Sequence, residues 1–418
     1  MTAETVSTTP ARPIATGGAR PRGHVRHGAG FWIVAGAYAI LSAFGTAPTP
    51  LWPSYQQADG FGPLMVTIAF AIMVAGTVLS LALFGHLSDR LGRRRIIAPA
   101  LFVSIAGAFV FVAWPQIPGL LIARFLTGFA IGLMAASATA YLADLDRHAR
   151  PHVIAAQLPG LVAAGASLGG LAGGAAIAGV LAEWVPLSTR LELPYVAFGL
   201  LLLGALALVL VTPETVDIEA LPEFRIRRVH IQPGRTGQFV GASMFGFAAF
   251  GATGLFSALG SLIIRGDLGL HDVFVGGLAT FVVFAASAAA QLAAGRLAPR
   301  LLTGLGFGLY LVGFALTLLS IRNPSLGLFL GAAAVVGAGA GMLFKTGLSQ
   351  AALSAVPASR AGVLSIFFII AYLGMGIPSV LYGTIVGALG TLTSLGILVS
   401  ALIVILIIGT FLAVPKRS

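Results

Sequence analysis

The stretch Gly85-His-Leu-Ser-Asp89-Arg90-Leu-Gly92-Arg93-Arg94-Arg95 places five charges in seven residues of a chain in which only 9% of residues are charged. Long apolar runs flank it on both sides. An ionised side chain in hydrocarbon costs at least ~2.5–3.5 kcal/mol, so the turn stays in water and the runs beside it are read as membrane crossings. The rest of the chain agrees. Its 418 residues are 58% hydrophobic, with a mean hydropathy of +0.99. A spanning helix takes ~20 apolar residues, so about twelve spans fit. Cysteine is absent, which excludes a disulfide framework, a thiolate metal site and a cysteine nucleophile. The 55 glycines suit membrane helices, where small residues let backbones approach closely.

Residues 1–30 are polar, Pro/Gly-rich and basic, and read as a disordered tail. No small-residue cleavage site follows, so the first span is read as retained rather than removed as a signal peptide. Spans are predicted at 31–52, 64–84, 96–114, 118–142, 152–181 and 193–211, then at 237–263, 272–294, 301–320, 325–350, 360–387 and 391–414. The implied organisation is a first six-helix bundle over 31–211, a charged linker over 212–236, a second bundle over 237–414 and a short tail at 415–418. The halves repeat. Gly85-x-Leu87-x-x-Arg90 recurs as Gly295-x-Leu297-x-x-Arg300 at an offset of 210, and Gly128-x-x-x-Gly132 recurs as Gly337-x-x-x-Gly341 at 209. Pro299 stands where Asp89 would fall in the second copy, so the halves are not chemically equivalent.

The opening stretch resembles the loop between the second and third helices of the major facilitator superfamily, Gly-x-Leu-x-Asp-Arg-x-Gly-Arg-(Arg/Lys)-(Arg/Lys), at all its defining positions. The resemblance implies an all-α integral membrane fold of twelve helices, arranged as two six-helix bundles around a central cavity that opens alternately to each side. It also implies a gating set of Gly85, Asp89, Arg90, Gly92, Arg93 and Asp144. In that set Arg93 pairs with Asp144, and the Asp89 carboxylate meets the amino end of the eleventh helix near Arg360–Ser365, where the helix dipole favours an anion. Arg124-Phe-Leu-Thr-Gly128-Phe-Ala-Ile-Gly132 resembles the fourth-helix pattern Arg-x-x-x-Gly-x-x-x-Gly, linked in the family to proton coupling or substrate. In the fifth span Gly165, Gly169, Gly173 and Gly174 resemble the antiporter signature Gly-x-x-x-Gly-Pro-x-x-Gly-Gly, with Gly170 in place of the proline. Such small-residue runs also pack helices.

On this topology 19 of the 24 basic residues fall on one side and three on the other. That excess predicts a plasma-membrane (cell inner membrane) protein, multi-pass, with both termini cytoplasmic, and it explains the net charge of +11 without nucleic acid. All thirteen acids and all seven histidines lie in loops, in the tail or at span edges, so no intramembrane metal, haem or retinal ligands are evident, and neither an enzyme nor a cofactor is expected. Two cations remain inside spans, Arg124 and Lys345, and each needs a cavity, a helix-end carbonyl or a snorkelling path. Aligning the glycine pairs puts them twelve residues apart, ~18 Å along the helix axes, so they cannot form one clamp. Tyr38, Ser42, Thr46 and Thr49 share one face of the first span, expected to line water or to pack through hydroxyls. The run Ala47-Pro-Thr-Pro-Leu-Trp-Pro ends that span in a bend. The glycines of Gly304-x-Gly306-x-Gly308 and Gly337-x-Gly339-x-Gly341 lack a strand-turn-helix context, so no nucleotide site is read there. The resulting expectation is a monomeric secondary carrier in the lipid bilayer, with a small-molecule substrate and protons as partners. Proton-coupled export of small organic molecules, a drug or metabolite efflux antiporter, is the first reading. Uptake or exchange of an organic anion is the alternative suggested by two cavity cations and no cavity acid, and a transport-inactive membrane sensor of the same fold is a third.

Overall fold

The computed structural model describes residues 25–84, 91–152, 158–216, 230–356 and 359–413. Its long helices are α1 His27–Thr46, α2 Pro63–Phe84, α3 Arg93–Ala113, α4 Ile117–Ala149, α5 Leu158–Glu183, α6 Leu193–Leu210, α7 Thr236–Gly266, α8 Val273–Ala293, α9 Pro299–Arg322 and α10 Leu326–Ser354. A final 54-residue helical stretch, Arg360–Ala413, contains a break at Gly390 (φ 75°, ψ 167°). At 1.5 Å per residue it is far too long for one crossing of a ~30 Å hydrocarbon layer. Its packing shows the reversal. Along α7, Gly246 meets Phe367 and Gly254 meets Met375, a parallel course, whereas Gly241 meets Gly409 and Gly251 meets Leu402, an antiparallel one. The stretch is therefore two helices, α11 before Gly390 and α12 after it. Twelve spans result.

Proline starts several of these helices, where its missing N–H is harmless: Pro63 opens α2, Pro299 opens α9, and α4 and α6 carry proline in the first turn. After α1 the proline-rich run forms a 3-10 turn, Thr49–Leu51, and then a short helix, Trp52–Asp59, that stops at left-handed Gly60. The repeated glycine pairs do the same work in both halves. A Cβ on Gly128 or Gly132 of α4 would strike Met73 or Ser80 of α2, and one on Gly337 or Gly341 of α10 would strike Val283 or Ser287 of α8. The end carrying Arg93, Arg147, Arg235 and Arg300 is called here the basic end, and the opposite one the far end. Toward the far end the halves meet closely. A Cβ on Gly277 of α8 would lie 2.6 Å from the Ala175 carbonyl of α5, and Gly376 and Gly383 of α11 rest on Val74 and Thr67 of α2.

Candidate functional site

At the basic end, Gly92 holds φ 97°, a backbone region that disfavours side chains, and α3 begins at the next residue. The first amides of a helix lack internal partners. Here the Glu214 carboxylate supplies them, with Arg93 N to Oε1 at 2.9 Å and Arg94 N to Oε2 at 3.1 Å. A Cβ on Gly92 would sit 2.7 Å from Glu214 Oε2, so position 92 requires glycine for both conformation and space. The Arg93 side chain donates to Asp144 at 3.1 Å, and Arg147 lies 3.6 Å from the same carboxylate. Arg94 crosses to α6 and donates to the Leu210 and Thr212 carbonyls, each at 3.0 Å. Gly85, Asp89 and Arg90 lie outside the described residues, as does the Asp89 contact with α11.

Arg124 is 1% exposed and faces no acidic side chain among the described residues. Its Nη1 donates 2.8 Å to the carbonyl of Gly45, in the last turn of α1, and its guanidinium lies 5.8 Å from the ring centroids of both Trp52 and Phe70. A cation belongs at a helix carboxyl end, where the dipole is negative, and aromatic faces add cation–π attraction. Arg124 Nε and Trp52 Nε1 are buried without acceptors. Beside them the Tyr55 and Tyr195 hydroxyls are bonded at 3.2 Å.

Lys345 follows the same rule at the other end of the molecule. Its Nζ donates 2.6 Å to the Gln291 carbonyl, in the last turn of α8. The pattern extends to Arg190 on the Ala182 carbonyl at the end of α5 (3.0 Å), and to Arg235 on the Leu353 carbonyl at the end of α10 (3.0 Å). Cations neutralise helix carboxyl ends and carboxylates neutralise amino ends, with one carboxylate crossing between halves. Glu183, closing α5, accepts from the Phe274 amide in the first turn of α8 at 2.9 Å, while Asp272, at the cap position, makes no cap bond.

Tyr38, Ser42, Thr46 and Thr49 are all buried. Thr46 Oγ1 donates 2.7 Å to the Leu171 carbonyl, and Ser42 lies against Gly170, so this face of α1 packs on α5 through hydroxyls. In α5 the glycines that press on α1 are Gly170 and Gly174, against Ala39 and Ala43, and Gly179 meets Phe274 of α8; Gly165 and Gly169 face open space, and Gly173 meets only Ile177. Between the halves lies a small cavity of about 10 Å³, room for a single water. Leu168 of α5, Phe250 and Thr253 of α7, Phe284, Ser287 and Gln291 of α8, and Phe344 of α10 line it, without a charged side chain. Phe250 stacks on Phe344 at 4.9 Å and meets Tyr372 edge-on at 5.2 Å. Sequence reasoning missed Glu214, Glu183 and this aromatic group. Pro213-Glu214 directly after a span was the one local signal, since a cap taken from elsewhere in the chain leaves no spacing pattern.

The sequence pattern of the Major Facilitator Superfamily matches residues 34–236. The chain is 29% identical over 124 residues to the inner membrane transport protein YnfM of Escherichia coli (strain K12), which spans 30% of this chain and 29% of that protein. It is 33% identical over 55 residues to the probable inorganic phosphate transporter 1-9 of Arabidopsis thaliana, 13% of this chain and 10% of that protein. The matched segments thus span under a third of these relatives. In fold the chain is similar to a point mutant of the nucleoside transporter NupG, with a TM-score of 0.68 at 10% identity, covering 92% of this chain and 99% of that one. It is also similar to a bacterial homolog of the human lysosomal transporter Spinster in an inward-facing and occupied conformation, with a TM-score of 0.67 at 14% identity, covering 92% and 95%. The class is a twelve-helix, two-bundle membrane protein. The superfamily pattern covers just under half of the chain, and the loop and fourth-helix motifs and the shared fold are like those of major facilitator superfamily proteins.

Proposed function

We propose that this protein is a secondary active transporter that exports small, uncharged or weakly charged organic molecules in exchange for protons, by alternating access. The observation that carries the cargo class is the lining of the small cavity beside Leu168, where Phe250, Phe284, Phe344, Thr253, Ser287 and Gln291 offer aromatic faces and neutral polar groups without a charged side chain. Apolar walls with a few polar groups suit such ligands. The anion alternative rested on two free cavity cations. Lys345 and Arg124 each donate to a helix-end carbonyl, which weighs against that alternative.

In this reading the basic end is cytoplasmic, both termini lie inside, and the far-end junction of α2 with α11 and α5 with α8 is the closed outer gate. The bent segment Thr49–Leu51 belongs to that gate, with Pro50 packed beside Gly277 of α8. Asp89 works the inner gate against α11, while Gly92, Arg93 and Asp144 hold the loop that carries it. Arg124 belongs to the coupling machinery through its motif.

The deciding experiment is transport into proteoliposomes under an imposed pH gradient, with a panel of neutral aromatic, cationic and carboxylate compounds. Neutral aromatic compounds should move in a gradient-dependent way and carboxylates should not; carboxylate transport lost in Lys345→Gln and partly kept in Lys345→Arg would replace this reading with the anion one. Asp89→Asn should reduce transport at normal membrane expression, and unchanged transport would remove Asp89 from gating. Reporters placed before Phe31 and after Ser418 should read cytoplasmic, and one in the Asp267–Asp272 loop should read external.

A further inference from the structure

A cleft of about 600 Å³ opens at the basic end of the second half, lined mainly by α9 and α12 with Phe245 of α7 and Gln350 of α10 behind. It is separate from the space between the halves. Its walls are apolar, with Phe245, Phe307, Ile407 and Phe411 among them, and Phe411 is 78% exposed on a helix whose outer face belongs to lipid. At its mouth stand Pro299 and Arg300, in the first turn of α9, and no side chain caps that helix. The exposed Arg300 makes no hydrogen bond or ion pair with a described residue. Gln350 Oε1 is buried without a donor. The hydroxyl protons of Thr303 and Thr410 are spent on the Pro299 and Leu406 carbonyls.

The internal repeat explains the open space. At the offset of 210, Gly304 corresponds to Arg94, whose side chain crosses from α3 to the end of α6 in the first half. In the second half that crossing side chain is missing, and a Cβ on Gly304 would meet nothing within 4 Å. Gly306, by contrast, packs on α10. The glycine at 304 therefore keeps a space open rather than closing a helix contact.

We propose that this cleft binds an anionic phospholipid, its phosphate held by Arg300 and the free amides at the start of α9, and an acyl chain laid along the Phe307–Phe411 walls. A helix amino end with an arginine is a phosphate site. Basic pockets between membrane helices hold anionic head groups. A soluble anion has no use for the apolar walls, and a neutral hydrophobe has none for Arg300. The volume lies within the usual range for a ligand site. The proposal does not depend on which cargo is carried or on which way the chain is oriented.

Native mass spectrometry of the full-length protein, titrated with phosphatidylglycerol or phosphatidylcholine of identical chains, tests it. Phosphatidylglycerol should be retained about fivefold more than phosphatidylcholine, a difference that Arg300→Gln should erase. Gly304→Leu, which fills open space, should lower retention of both lipids while leaving thermal stability unchanged. Equal retention of the two lipids by the parent, or undiminished phosphatidylglycerol on Gly304→Leu, would overturn the assignment. So would displacement of bound lipid by inorganic phosphate. Because the chain lacks cysteine, the pair Gly304→Cys and Lys416→Cys offers a further check: disulfide formation that excludes lipid would give the cleft to the chain's own terminus and sink the proposal.

Discussion

The two halves turn the same corner with different chemistry. In the first, Gly92, Arg93 and Arg94 are fastened to Asp144, to Glu214 and to the end of α6, so the corner is an electrostatic knot. In the second, the equivalent positions are Leu302, Thr303 and Gly304, all inside α9, which already starts at Pro299, and no acidic side chain among the described residues meets them. Backbone packing was kept where the glycine pairs of α4 and α10 press on α2 and α8. Charge was not kept. Duplication preserved what shape requires and released what only one half uses, leaving a charged knot in one corner and an open cleft in the other.

The strongest way to break this comparison is to place a methyl group at each glycine. Gly92→Ala should destabilise the protein by about 1–3 kcal/mol from backbone strain alone, with more from the displaced Glu214. Gly304→Ala should be neutral or stabilising by up to about 1 kcal/mol, since alanine favours helix and meets nothing there. Thermal unfolding in detergent measures both, and equal effects would erase the distinction between the corners. Next in size, Glu214→Ala should cost about 1.5–3 kcal/mol, the range for hydrogen bonds to a charged group, and hydrogen exchange should quicken at the first amides of α3 and nowhere in α9. Asp144→Asn should cost about 1 kcal/mol at most, because Arg93 and Asp144 are partly solvated; a loss several times larger would make the pair a structural keystone rather than a breakable contact.

The smallest effect belongs to the far end of the second half, where Thr391 at the start of α12 donates 3.2 Å to Asp267 after α7. Burial raises the Asp267 carboxyl above its usual value of 3.8, and the Thr391 hydrogen bond opposes the rise. The folded state then holds this proton more tightly than the unfolded chain does. Stability should therefore fall slightly as pH climbs from the ordinary carboxylate value through the raised one, and Asp267→Asn should remove that slope. A slope of opposite sign in unfolding measurements would mean that the hydrogen bond outweighs burial, making Asp267–Thr391 a second lock like that of the first half.

Much of the frame was legible in advance. Hydropathy located the spans to within a few residues at most boundaries, and the 209-residue offset between glycine pairs foretold equivalent contacts in the two halves. The site was less legible. Tyr38, Ser42, Thr46 and Thr49 share a face by spacing, yet spacing cannot say whether that face meets water or α5. In α5 the antiporter-like spacing points to Gly165, Gly169, Gly173 and Gly174, whereas the close contacts with α1 use Gly170 and Gly174, because small residues crowd this segment and only the neighbouring helix selects among them.

What the sequence determined by itself follows from quantities local to the chain: apolar length sets the number of spans, and five charges within seven residues mark a boundary between two of them. Two cations without acids inside the spans announced that something unusual must satisfy them. Which group satisfies each was decided only in three dimensions. Arg124 finds the last turn of α1, Lys345 the last turn of α8, and Glu183 the first turn of α8 across the junction of the halves. A helix end offers partial charge at a place, not at a sequence distance, so only the folded arrangement brings a side chain from one helix to the unpaired backbone groups of another.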